Sequence, residues 1–199
     1  VSAKGVNWVL KMLRELHEYA SMATKSVTNI TVCAAVAESD FNSGQTVGLK
    51  MKRGLLFATY PGDGGAKGTT VSAAKKGEDI DVTNIEGLIE LPRGSVTIAQ
   101  IPAIGKGGSR KTDLSKLQRQ AKRFGSNQTG AIGIEALVAL RRAHIEPHYF
   151  YGVVEAVLEA TRCGLPFLVA CTADAVPGLV KKMQEEEVEY HVIDLSQQS

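Results

Sequence analysis

Val96–Phe124 reads VTIAQIPAIGKGGSRKTDLSKLQRQAKRF, and the fold turns on this stretch. VTIAQI has the β-branched, apolar composition of a strand, and Pro102 ends it because proline has no amide to give to a continuing ladder. A Gly-rich basic loop follows. DLSKLQRQAKRF (Asp113–Phe124) then reads as a helix, with Thr112 or Asp113 as its cap. From Gly105 to Phe124 there are seven Lys/Arg and a single acid, Asp113, whereas the formal charge of the whole 199-residue chain is only +2. The excess positive charge is therefore local, and an anion has its first candidate site here.

Downstream, strand and helix signals alternate. TGAIGI (Thr129–Ile134) precedes EALVALRRAHI (Glu135–Ile145), which Pro147 stops. HYFYG (His148–Gly152) leads into VVEAVLEATRCG (Val153–Gly164), and PFLVACT (Pro166–Thr172) is a continuous apolar run suited to a strand buried on both faces. A helix around PGLVKKMQEEEVEY (Pro177–Tyr190) and a last strand HVIDL (His191–Leu195) complete the pattern, with SQQS as a frayed tail. Parallel strands joined by crossover helices give an open, Rossmann-like α/β sheet over residues 96–199.

Upstream the period changes. Residues 29–95 read as short strands with turns between them: Ile30–Ala37, Thr46–Lys52, Leu55–Tyr60, Gly68–Ala74, Asp79–Asn84 and Gly87–Leu91. Arg53-Gly54 fits a tight hairpin turn and Pro92-Arg93-Gly94 another. Strands at this spacing predict a small barrel or a strongly bent sheet. PGDGGAKG (Pro61–Gly68) is open to three readings: a disordered surface loop, a lid, or a ligand-contacting loop. Over residues 1–28, apolar positions three to four apart from Val6 to Ala23, with Ser2 as cap, predict a helix. Trp8, Met12, Tyr19 and Met22 widen its stripe enough to pack on a second subunit or on its own domain. The class is α/β with an added β-rich lobe, α+β overall.

A 44% hydrophobic, 22% charged composition is that of a globular chain. No apolar run reaches the ~18 residues of a membrane span, and no signal peptide is visible. Cys33, Cys163 and Cys171 are odd in number, lack a CxxC spacing and lie in apolar surroundings, which predicts free thiols in a reducing cytoplasm. Val1 without a preceding methionine predicts that the natural chain starts upstream.

Three loops leave the carboxyl ends of the α/β strands, where open parallel sheets bind ligands. Ile104–Asp113 combines exposed backbone amides, a helix start and full charges: Lys106, Gly107, Gly108, Ser109, Arg110, Lys111 and Thr112 form the candidate site for a phosphate or carboxylate. KGGSRKT (Lys106–Thr112) resembles the KGGxGKT signature of ParA-like deviant Walker ATPases. Arg110 stands where that signature has glycine, five residues separate the strand from the motif, and no second acidic strand follows, since Asp194 ends the final strand. In the second loop Gly130 and Gly133 allow either close approach of a ligand or tight helix-on-strand packing, and Glu135 suits the first turn of its helix. In the third, Thr172 and Asp174 reach the sheet edge, with Asp174 either capping the next helix or holding a ligand group. His144 and His148 are split by Pro147, so no zinc site is expected, and no metal, cofactor or catalytic set is assigned.

VSAKGVNWVL (Val1–Leu10) resembles the exit of a winged-helix DNA-binding domain. The order of GQTVGLKMKRGLLFA, KKGEDIDVTNIEGLIEL, GGSRKTDLSKL, GIEALVALRRAHIEP and EYHVIDL resembles the C-terminal region of an archaeal family of uncharacterised, predicted winged-helix transcriptional regulators. The resemblance implies a cytoplasmic ligand-sensing and dimerisation domain, a homodimer that meets DNA through an upstream domain outside this chain. Its ligand would be a small anionic metabolite near Gly105–Asp113. A nucleotide- or sugar-phosphate-binding α/β enzyme is the alternative. An oligomerisation module whose basic helix touches DNA non-specifically is a third reading.

Overall fold

The computed structural model describes residues 9, 12, 13, 16, 32–62 and 65–197. The helix expected over residues 1–28 lies outside them, apart from Val9, Met12, Leu13 and Leu16, which are helical. The chain divides into two units, Val1–Glu90 and Leu91–Ser199. Leu91–Gly94 fall in the second unit because Gly94 lies against backbone: a Cβ there would sit 2.5 Å from the Cα and O of Thr161.

In the first unit, β1 (Cys33–Ala37), β2 (Thr46–Lys52), β3 (Leu55–Thr59), β4 (Ala66–Thr70) and β5 (Asp79–Glu86) close into a five-stranded barrel in the order β1-β3-β2-β4-β5. The pair β1–β3 is parallel and the others are antiparallel. Arg53 and Gly54, both with positive φ, make the two-residue turn that sets Lys52 opposite Leu55. Alternation sends Val47, Leu49, Ile80 and Val82 inward, where Ala35, Ala37, Ala58 and Ala66 complete an interior too narrow for large side chains on every strand. The strand expected at Gly87–Leu91 does not form: Gly87 has φ +90° and Leu88 is 85% exposed, so the segment is irregular chain between the units. The strand expected at Gly68–Ala74 is instead Ala66–Thr70, which shortens the Pro61–Gly68 loop; residues 63 and 64 of that loop lie outside the described ones.

The second unit holds a parallel sheet, β6 (Ser95–Ile101), β7 (Thr129–Ile132), β8 (Phe167–Thr172) and β9 (Glu189–Asp194), in the order β7-β8-β6-β9. All six residues of β8 are buried, as its unbroken apolar run requires. Its alternate residues Phe167, Val169 and Cys171 face α3 (Val153–Arg162) and α4 (Val176–Glu185); Leu168 and Ala170 face α1 (Leu114–Ala121) and α2 (Ile134–Arg142). Each fully buried Leu, Val or Phe here contributes about 1.5–3 kcal/mol relative to exposure. Outside β7, Tyr149 makes a parallel bridge to Gly130 and accepts from the amide of Ala131 at 2.9 Å. The chain thus leaves β6 through α1 on one face and leaves β8 through α4 on the other. β6 and β8 are neighbours, with Ile101 beside Thr172, so the connections diverge between them.

The three cysteines are free; Cys171 is buried, and burial pushes its thiol up to about 12. Among the described residues no helix is long and apolar enough to cross a membrane.

Candidate functional site

The loop leaving β6 is two short 3₁₀ turns, Ile104–Lys106 and Gly108–Lys111, joined at Gly107. Gly107 has φ +100°, which a side chain would oppose, and a Cβ there would meet Lys111 Cγ at 2.5 Å. The turns consume their own amides: Lys106 and Gly108 donate to Ala103 O at 2.8 and 3.1 Å, Gly107 to Ile104 O at 3.0 Å, and Arg110 to Gly107 O at 3.1 Å. These four amides are therefore not turned toward a phosphate as they would be in a P-loop nest, in keeping with Arg110 where a P-loop has glycine.

Thr112 is buried, and its hydroxyl donates to Gly108 O at 3.1 Å. Asp113 caps α1, accepting from Lys116 N at 2.8 Å. The chain end laces the loop from the other side: Asp113 N donates to Leu195 O at 2.8 Å and Gln197 N to Lys111 O at 2.9 Å, and Ser196 bridges Thr112. The expected frayed tail is thus bonded as far as Gln197. Asp194 accepts from Ser196 N and Oγ, which holds its carboxyl below the usual range, with Lys116 and Lys106 adding to the effect.

Two residues of α2 fasten the same loop. Glu135 Oε1 accepts from Ile104 N at 3.2 Å, and Arg142 donates to Ser109 O. Gly108 lies close above Glu135, its would-be Cβ 3.3 Å from Glu135 Cγ. A carboxylate of the protein itself therefore meets the first amide of the loop. What remains for an external anion is the side-chain charge of Lys106, Arg110 and Lys111, which are exposed and, among the described residues, form no ion pair.

The remaining sequence candidates separate by role. Gly130 packs, since a Cβ there would lie 2.7 Å from Val153 Cγ1 and 3.2 Å from Phe167 Cε1. Gly133, φ +95°, is the residue before α2, and its would-be Cβ lies 2.5 Å from Thr172 Cγ2, so the β7 and β8 ends meet there. Thr172 is buried and Asp174 is exposed. Asp174 does not cap α4: the cap position is Ala175, with no side-chain bond, because the chain enters that helix already in a helical conformation.

Sequence reasoning passed over the apolar members of this edge. A groove of about 500 Å³ is lined by Ile104, Gly107, Ser109, Arg110, Ile134, Glu135 and Val138. Ile104 is 68% and Ile134 78% exposed. For Ile104 a signal was available, an isoleucine in a Gly-rich basic loop, whereas Ile134 reads as the end of the apolar strand TGAIGI and is instead the first residue of α2. Among the described residues no cluster of His, Cys, Asp and Glu could hold a metal ion.

The chain is similar to the "Uncharacterized protein MJ0558" of Methanocaldococcus jannaschii, 28% identical over 200 residues, covering 100% of this chain and 77% of the relative. No solved structure matches it. Residues 90–192, just over half of the chain, match the Domain of unknown function (DUF7839), and the chain belongs to that family.

Proposed function

We propose that the chain is the ligand-sensing and dimerisation part of a cytoplasmic transcriptional regulator. In this reading Leu91–Ser199 works as a Rossmann-like unit that takes a small metabolite with a phosphate or carboxylate group at the divergence of β6 and β8. The observation that carries the reading is the set of exposed cations, Lys106, Arg110 and Lys111, on the loop leaving β6 at that divergence, which form no ion pair among the described residues. Open parallel sheets bind ligands at such points, and exposed cations held in no internal ion pair can meet a ligand's anionic group. Because the amides of Ile104, Lys106, Gly107, Gly108 and Arg110 are already bonded within the protein, side chains rather than a backbone cradle would hold the anion, which disfavours nucleotide hydrolysis.

Dimerisation draws on Val9, Met12, Leu13 and Leu16, four exposed apolar residues at the i, i+3, i+4, i+7 spacing of one helix face. The DNA-reading role falls to an upstream winged helix. Just under a quarter of the relative's length lies outside its match to this chain, on the order of 60 residues and enough for a small domain.

The test is a thermal-shift screen of residues 1–199 against inorganic phosphate, ATP, glucose 6-phosphate, citrate and the proteinogenic amino acids. A ligand at about 100 times its Kd stabilises the fold by about 2.7 kcal/mol, a readable rise in Tm. The expected result is a rise with at least one compound that is lost when Lys106, Arg110 and Lys111 are all changed to alanine. No rise with any of them overturns the reading.

A further inference from the structure

Beside the basic loop, the groove under Ile104, Ile134 and Val138 has a lining that a plain anion site does not need. Its apolar lining is Ile104, Ile134 and Val138, 68%, 78% and 38% exposed, whereas Ile80, Ile98 and Ile101 in the cores are buried. Its walls carry one side chain of each sign, Arg110 and Glu135. These two form no ion pair with each other or with any other described residue. In the groove at the opposite end of the strands, by comparison, Arg162 pairs with Glu186 at 2.6 Å, so that opposite-sign pair is already closed on itself.

Glu135 decides the class of ligand. One of its oxygens accepts from Ile104 N, but a carboxylate offers about four acceptor positions, so it can still receive a bond from a ligand ammonium. A plain anion in the groove would meet Glu135 as a like charge, whereas a zwitterion meets a partner at each end. Arg110 presents a planar fork that suits a carboxylate. A volume of about 500 Å³ lies within the ~300–1,000 Å³ range of small-molecule sites.

We infer that this groove binds a free α-amino acid with an apolar side chain. Arg110 takes the carboxylate, Glu135 takes the ammonium, and Ile104, Ile134 and Val138 cover the side chain. The inference rests on the reading of this sheet edge as a sensing site and narrows its occupant. Binding would also bridge the β6 loop to the start of α2, adding to the contact that Glu135 and Ile104 already make.

Isothermal titration of residues 1–199 with L-leucine and L-phenylalanine tests it, against L-alanine, N-acetyl-L-leucine, L-leucinamide and inorganic phosphate. Leucine or phenylalanine is expected to bind, with alanine weaker by about 10-fold or more because it buries fewer carbons. Acetylation or amidation is expected to weaken leucine by about 10-fold, the order of one charge-assisted contact. Glu135→Gln keeps an acceptor for Ile104 N but should erase the preference for leucine over its N-acetyl form. Ile134→Ser, at an exposed position that leaves folding intact, should weaken both apolar amino acids. Equal binding of leucine and N-acetyl-leucine, or no heat from any amino acid at millimolar concentration, overturns the inference. If phosphate binds through Lys111 while the amino acids are silent, the sensing reading stands and only this inference falls; if nothing binds, both fall.

Discussion

The barrel and the parallel sheet solve the same problem, burying apolar strand faces, with opposite consequences for their loops. In the barrel every strand has two neighbours, and mostly antiparallel pairing sends turns out at both ends. In the sheet all four strands run the same way, so the segments after Ile101, Ile132, Thr172 and Asp194 emerge on one edge. That edge gathers the exposed cations Lys106, Arg110 and Lys111, with Glu135, Asp174 and the exposed isoleucines. Topology alone concentrates chemistry in one unit and disperses it in the other, which is why the candidate site belongs to Leu91–Ser199.

The largest effect that can break this comparison is a core truncation in each unit. Leu168 and Ile80 are 0% and 2% exposed, at the centres of separate cores. Either one changed to alanine should cost about 2–5 kcal/mol. Hydrogen exchange should localise the loss: Leu168→Ala lowers protection in β6–β9 more than in β1–β5, and Ile80→Ala the reverse. Equal losses in both units would show a single cooperative core. The next effect compares two glycines with positive φ. Gly133→Ala meets both the backbone penalty and Thr172 Cγ2 at 2.5 Å, while Gly44→Ala in the barrel, φ +75°, meets nothing within 4 Å. Urea unfolding should show about 1–3 kcal/mol lost at Gly133 and about 1 kcal/mol at Gly44. Thr172→Ala should recover part of the Gly133→Ala loss and none of the Gly44→Ala loss.

The same contrast governs what could be read from the chain. The central parallel strands were legible because VTIAQI and PFLVACT are largely apolar runs between helical periods and both are flanked by strands; HVIDL, with His191 and Asp194, forms the exposed edge strand β9. The barrel was legible as a class, but not in its limits: Gly87–Leu91 looks like a strand by composition and lacks a partner, which no local pattern reveals. At the candidate site the cations were plain in GKGGSRK, since charge is a property of residue type. The Glu135–Ile104 latch, the lacing of Thr112 by Ser196 and the Arg110–Ile134 groove were not, because each joins segments tens of residues apart. Asp174 misled for the same reason: an aspartate just before a helix is a good cap by type, yet the backbone enters α4 one residue later.

A smaller test concerns how firmly the sheet edge holds its loop. Asp113 supplies a single capping bond to α1, and Asp113→Ala should cost about 1 kcal/mol, within the 0.5–2 kcal/mol range of lost caps. Thermal denaturation would read this as a drop of a few degrees. An unchanged Tm would mean that the bonds from Leu195 and Gln197 hold the loop without the cap.

The smallest effect is electrostatic and sits on the lacing itself. Ser196 N and Oγ both donate to Asp194 Oδ1, at 2.8 and 2.7 Å, and these bonds favour the charged form, so the folded carboxyl titrates below its unfolded value. A carboxylate with a lowered folded pKa gives stability that is fully present above the unfolded value, near 3.8, and is lost as pH falls through the folded value beneath it. Acid should therefore loosen Ser196 and Gln197 from the loop only below the usual aspartate range. A carboxyl-detected NMR titration should place the Asp194 midpoint under 3.8, with Ser196→Ala moving it back toward that value and Lys116→Met moving it less. A midpoint at or above 3.8 would mean that Ser196 is not bonded to the Asp194 carboxylate in solution, leaving the backbone bonds of Leu195 and Gln197 to hold the tail on the loop.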